Sequence, residues 1–167
     1  VPAPALIVTL LLDDPAQQRF DRLRAQHFPP ERNHLAAHVT LFHALPGEQL
    51  DAVRADLAEA ARRPAFDVAV TGVRFLGRGV AYDLEPAGIR SVRDALAASW
   101  APWLTPQDRQ RISPHVTVQN KVAPATARAL HERLRAEFVP WTARARGLGL
   151  WRYLGGPWEP LGEHAFG

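Results

Sequence analysis

The apolar positions along the chain change period several times, and each change marks an element. Ala5 to Leu12 is a short run rich in Leu, Ile and Val, which predicts a buried strand. Asp14-Pro15 then reads as a helix start, with Asp facing the free amides and Pro suited to the first turn. Phe20, Leu23 and His27 continue at helical spacing. His38 to Leu45 reads as a strand, Pro46-Gly47 breaks it, and Leu50, Val53 and Leu57 mark a second helix. Phe66 to Leu84 contains two strands around Gly77-Arg78-Gly79, a hairpin signal. Ile89, Val92, Leu96, Trp100 and Trp103 form another helical stripe, followed by a polar loop from Thr105 to Pro114. His115 to Val122 predicts a strand, and Ala127, Leu130 and Leu134 a helix. Trp141 to Leu154 and Glu159 to Phe166 close the chain as strands around Gly155-Gly156-Pro157.

This order is strand, helix, strand, helix, strand, met twice. The sequence repeats with it. Ala37-His38-Val39-Thr40-Leu41 resembles Pro114-His115-Val116-Thr117-Val118 at an offset of 77. Arg63-Pro64-Ala65-Phe66 parallels Phe138-Val139-Pro140-Trp141 at about 75, and Asp14-Pro15-Ala16 parallels Glu85-Pro86-Ala87 at 71. Small loop insertions account for the drift. The expected fold is α+β: two lobes related by a pseudo-two-fold, each an antiparallel-rich sheet backed by helices, with a cleft between them. Residues 1–167 would form a single bilobal domain, repeat one roughly 4–80 and repeat two roughly 81–167.

Composition narrows the classes. The chain has 167 residues, 47% hydrophobic and 22% charged, an ordinary globular balance that argues against intrinsic disorder. Cysteine is absent, which excludes disulfides, thiolate metal sites and a cysteine nucleophile. No apolar run approaches the ~20 residues that span a bilayer, and the first residues do not read as a secretory signal. A cytoplasmic monomer with no membrane partner is therefore expected. The formal net charge is +3, and 19 of the 20 basic residues are Arg. Such a charge permits a nucleic-acid partner without requiring one.

The repeated tripeptide carries the chemistry. With seven His and seven Thr in the chain, random placement gives about 0.3 His-x-Thr matches. Two occur, both His-Val-Thr, at the same point of each repeat. Strand alternation puts His38 and Thr40 on one face, and likewise His115, Thr117, Gln119 and Lys121. If the lobes face each other, two imidazoles and two hydroxyls converge. Two histidines with ordinary pKa values near ~6.5 can serve as base and acid at neutral pH. The hydroxyls can hold phosphate oxygens. An activated substrate such as a strained cyclic phosphodiester would need no metal or other cofactor.

Paired His-x-Thr motifs on strands of a duplicated α+β chain resemble the 2H phosphoesterase superfamily. Within it the chain is similar to the bacterial 2′-5′ RNA ligase-like proteins, which include RNA 2′,3′-cyclic phosphodiesterases. The resemblance covers nearly the whole chain. It implies metal-independent opening of a 2′,3′-cyclic phosphate, on an RNA end or a small nucleotide, to a 2′-phosphate. His38 and His115 would be catalytic, with His38 protonating the leaving 3′-oxygen and His115 activating water. Thr40 and Thr117 would bind the phosphate. Better-known members carry an Arg shortly after the second motif, where this chain has Gln119-Asn120-Lys121, so Lys121 is the expected phosphate-binding cation. Other 2′-linked or cyclic nucleotides, or a non-catalytic RNA-binding role, are the alternatives.

Phe42 and Gln119 share the motif faces by alternation and are expected to line the cleft. Trp151 and Tyr153 share a strand face and would stack on a base or pack in the core. His34, His38 and His43 do not form a metal set, because strand alternation sends His38 and His43 to opposite faces. His43 is expected to be partly buried near the core. Arg109 and Arg111 lie in the loop before the second motif, facing solvent or an RNA backbone.

Overall fold

A computed structural model describes residues 2–167. The strands are β1 (Leu6–Leu12), β2 (Val39–Leu45), β3 (Phe66–Phe75), β4 (Val80–Leu84), β5 (His115–Gln119), β6 (Trp141–Tyr153) and β7 (Trp158–Ala165). The helices are α1 (Asp14–His27), α2 (Leu50–Ala60), α3 (Pro86–Trp100), the single turn α4 (Pro106–Arg109) and α5 (Pro124–Glu137). Pro stands in the first turn of α1, α3, α4 and α5, where its missing amide costs nothing. The polar loop expected before the second motif contains α4, capped by the Thr105 hydroxyl, which accepts from the Asp108 amide.

All seven strands join one antiparallel sheet in the order β2-β1-β6-β3-β4-β5, with β7 on β6. This differs from a separate sheet for each repeat. β6, from the second repeat, lies beside β1, while β3, from the first, lies beside β4. Each half of the sheet therefore takes two strands from one repeat and its third from the other. The order maps onto itself when β1, β2 and β3 exchange with β4, β5 and β6.

The register carries the same symmetry. β3 and β6 pair with Val68 opposite Ala143, Phe66 opposite Ala145 and Val70 opposite Trp141. Val68 and Ala143 are 75 apart, as are Phe66 and Trp141 and also Val70 and Ala145, so the pairing is symmetric about Val68 and Ala143.

Helices cover one face. Phe20 of α1, Ile89, Leu96 and Trp100 of α3, and Leu130 of α5 pack with Val8, Leu41, Val116 and Leu148 of the strands in one core. The sheet curls until its two end strands, β2 and β5, come into contact. α1 packs on β5, and Arg24 donates from Nη1 to the Thr117 carbonyl at 2.9 Å. That closure brings the two motif strands together.

Candidate active site

His38, Thr40, His115 and Thr117 line one cavity of about 460 Å³. His38 Nδ1 lies 2.8 Å from the Ala36 carbonyl, and His115 Nδ1 lies 2.9 Å from the Ser113 carbonyl. Each ring thus donates Nδ1–H to the carbonyl two residues before it, which leaves Nε2 as the free nitrogen. The repeat reproduces the orientation of the ring as well as its identity.

Both motif strands carry a bulge directly after the Thr. Thr9 pairs with Thr40 but Val8 pairs with Phe42, and Ala81 pairs with Thr117 but Val80 pairs with Gln119. The extra residues are Leu41 and Val118, 77 apart like the motifs themselves. A bulge reverses which face later residues occupy. Phe42 and Gln119 therefore turn inward instead of lining the cavity, Phe42 at 0% exposure against Trp100 and Gln119 at 5%. The same reversal brings His43 to the cavity of His38, contrary to simple alternation.

Lys121 is also displaced. β5 ends at Gln119, and Lys121 takes a left-handed backbone conformation (φ 62°) in the exposed turn beyond it, away from the cavity lining. Trp151 and Tyr153 do share the face of Thr40, but neither lines the cavity. Trp151 donates its indole N–H to the Thr9 hydroxyl at 2.9 Å and packs against Trp158, while Tyr153 is 45% exposed at the strand end. His34 is exposed and lies outside the cavity lining.

Several lining residues carried no motif signal. Trp158 of β7 places its ring 4.6 Å from that of His38. Arg74 of β3 approaches His115 Nδ1 at 3.1 Å, pairs with Asp83 and donates to the Ser113 hydroxyl at 2.7 Å. Because His115 Nδ1–H points to the Ser113 carbonyl, the guanidinium stands beside the ring as a fixed charge. Arg93, Asp108 and Arg111 complete the far wall.

The profile of the 2′-5′ RNA ligase superfamily matches residues 12–157. The chain belongs to the 2′-5′ RNA ligase superfamily. Among solved structures it is similar to TT0787 of Thermus thermophilus (TM-score 0.69, 17% identity, 97% of each chain). It is likewise similar to E. coli LigT complexed with 3′-AMP (TM-score 0.66, 20% identity, 98% of each chain) and to a protein described as a phosphoesterase (TM-score 0.62, 20% identity, 98% of each chain). No curated protein matches the chain. LigT has also been solved with ATP and with phosphate.

In this member of the 2′-5′ RNA ligase superfamily, the two imidazoles sit in different surroundings. Burial, with help from the charges of Arg24, His115 and His43, lowers His38 to about 4, against the opposing bond to Ala36. Burial also lowers His115, and Arg74 adds to the effect, while the Ser113 carbonyl and Asp83 oppose it. Both rings are therefore neutral at pH 7 in the unliganded protein. Among the described residues no cluster of three or more His, Cys, Asp or Glu could hold a metal ion, and no helix is long and apolar enough to cross a membrane.

Proposed function

We propose that this protein hydrolyses 2′,3′-cyclic phosphate ends of RNA to 2′-phosphates by two-histidine acid–base catalysis. The observation that carries the reading is the convergence of both His-Val-Thr motifs on one cavity, each ring turned the same way by the carbonyl behind it. The two halves of the curled sheet act as the two lobes of a single bilobal domain, and the cavity is the cleft between them.

In the reaction, one Nε2 takes a proton from water as its oxygen attacks phosphorus. The other Nε2 gives a proton to the 3′-oxygen as the P–O3′ bond breaks. By family resemblance His115 is the base and His38 the acid. Exchange of one proton with solvent resets the pair. Thr40, Thr117 and Arg74 hold the non-bridging oxygens, Arg74 in place of the cation expected at Lys121. Because both rings are neutral when free, the acid gains its proton along with the anionic substrate, whose charge offsets the cost of a buried imidazolium. Strain in the cyclic ester lowers the barrier, and proton transfer adds ~10²–10⁴-fold. No metal or cofactor is required by this scheme.

The test is hydrolysis of a nucleoside 2′,3′-cyclic phosphate, and of a short RNA ending in one, with EDTA present. Turnover by the wild type and its loss in both His38→Ala and His115→Ala is expected. Full activity in either variant would end the two-histidine reading, and abolition by EDTA would restore a metal.

A further inference from the structure

The cavity extends well beyond the two motifs, and its far wall is tied to the rest of the fold by buried side-chain hydrogen bonds. That wall is the loop through α4 to Ser113. Arg93 donates to the Asp108 carbonyl, and Arg90 donates to the Ile112 carbonyl from both Nε and Nη2. The Asp108 carboxylate, 1% exposed, accepts the amides of His43 (2.9 Å) and Ala44 (3.0 Å), which ties the loop to β2.

Asp108 also accepts from His43. Its Oδ1 lies 2.9 Å from His43 Nδ1, so the ring's other nitrogen, Nε2, is the one left for a ligand. The bulge at Leu41 has turned this ring to the same cavity as Thr40, and 47% of its side chain is open. Arg111 stands on the same wall, exposed, and forms no ion pair among the described residues. Arg74, by contrast, has its charge matched by Asp83. The cavity therefore holds an oriented imidazole and an uncompensated guanidinium that the reaction at the motifs does not use. A single cyclic phosphate carries one negative charge. An RNA end carries a second, on the phosphate at the 5′ side of its last nucleoside.

Resting on the reaction proposed above, we infer that His43 and Arg111 form a second anion-binding subsite for that 5′ phosphate, so that the substrate is an RNA end in preference to a mononucleotide. Asp108 and Arg93 are positioning residues for it: they hold the ring and the loop and do not touch the ligand. With Nδ1–H kept on Asp108, His43 would take a second proton on Nε2 as the anion binds and donate it to one phosphate oxygen, while the Arg111 fork would meet the others with paired hydrogen bonds.

Calorimetric binding of a nucleoside 3′,5′-bisphosphate and of the matching 3′-monophosphate tests this without any turnover. The wild type should bind the bisphosphate at least tenfold more tightly. Arg111→Ala and His43→Gln should each reduce that ratio severalfold, and the double variant should bring it near one. Arg133→Ala, which removes the same charge from exposed α5, should keep the wild-type ratio. Equal affinities in the wild type, no binding of the bisphosphate, or an unchanged ratio in both single variants would overturn the subsite. Failure to hydrolyse cyclic phosphates would instead overturn the reaction, and leave this binding result to be read on its own.

Discussion

Arg74 and Gly149 stand at equivalent points of the two repeats, 75 residues apart, and only one of them carries a side chain. In the second motif's half of the sheet, Thr117 pairs with Ala81, which pairs with Arg74. In the first motif's half, Thr40 pairs with Thr9, which pairs with Gly149. A Cβ at Gly149 would stand 2.7 Å from Thr9 Oγ1 and 3.1 Å from Trp151 Nε1, so the missing side chain makes room for the Trp151–Thr9 hydrogen bond. The cavity is therefore symmetric in its motifs and asymmetric in their support: a guanidinium beside His115, the Trp158 indole beside His38.

Arg74→Ala should lower kcat/KM on a cyclic phosphate by roughly 10²-fold, the scale of losing one preorganised cation at a developing charge. Arg74→Lys should recover only part of this, because one ammonium cannot serve Ser113, Asp83 and the phosphate from a single fork. Steady-state kinetics of both variants check it. Equal rates in wild type and Arg74→Ala would remove Arg74 from the site.

The lowered imidazoles have a pH consequence of definite sign. His38 binds a proton near pH 4 when folded and near ~6.5 when unfolded. The stability contributed by keeping it neutral is present above about 6.5 and lost as pH falls toward 4. His115 acts in the same direction. Urea midpoints measured from pH 7.5 to 4 should fall, and should fall less steeply in His38→Gln. In catalysis, the kcat/KM profile should be a bell whose maximum lies on the acid side of 6.5, since kcat/KM reports the free protein's groups.

Trp158 covers the His38 ring at 4.6 Å and helps keep water from it. Trp158→Ala should therefore move the His38 titration, followed by NMR of the ring protons, upward toward 6.5. An unmoved titration would show that other neighbours supply the burial.

Asp108 is a buried carboxylate held by its neighbours. Burial would push its carboxyl up, but the His43 ring and the amides of His43 and Ala44 outweigh this and hold it below the ordinary range. Asp108→Ala strands those donors and should cost about 3 kcal/mol of unfolding free energy, read from denaturant melts. Asp108→Asn should also destabilise, because its amide presents hydrogens toward donors at one oxygen position.

Much of this was legible in the chain. The four long helices, the Gly77-Arg78-Gly79 hairpin and the repeated strand–helix order follow from period, first-turn prolines and turn residues, which neighbouring residues determine, whereas the single turn α4 lay within an expected loop. The motif pair was legible because duplication wrote it twice. Phe42, Gln119 and Lys121 were misplaced for a local reason that alternation does not contain: a bulge after each Thr, and a left-handed turn that ends β5 early. His43 went to the wrong face through the same bulge.

By itself, the sequence determined the long helices and most strands, the twofold repeat and the identity of the four motif residues, since each is read from spacing along the chain. Only the tertiary structure decided that the repeats exchange their third strands into one curled sheet, that Arg74 and Trp158 reach the motif histidines, and that Asp108 reaches His43. Arg74 meets His115 across 41 residues, and Asp108 meets His43 across 65. Such contacts are set by pairing register and sheet curvature, which arise only when distant strands bury their apolar faces together.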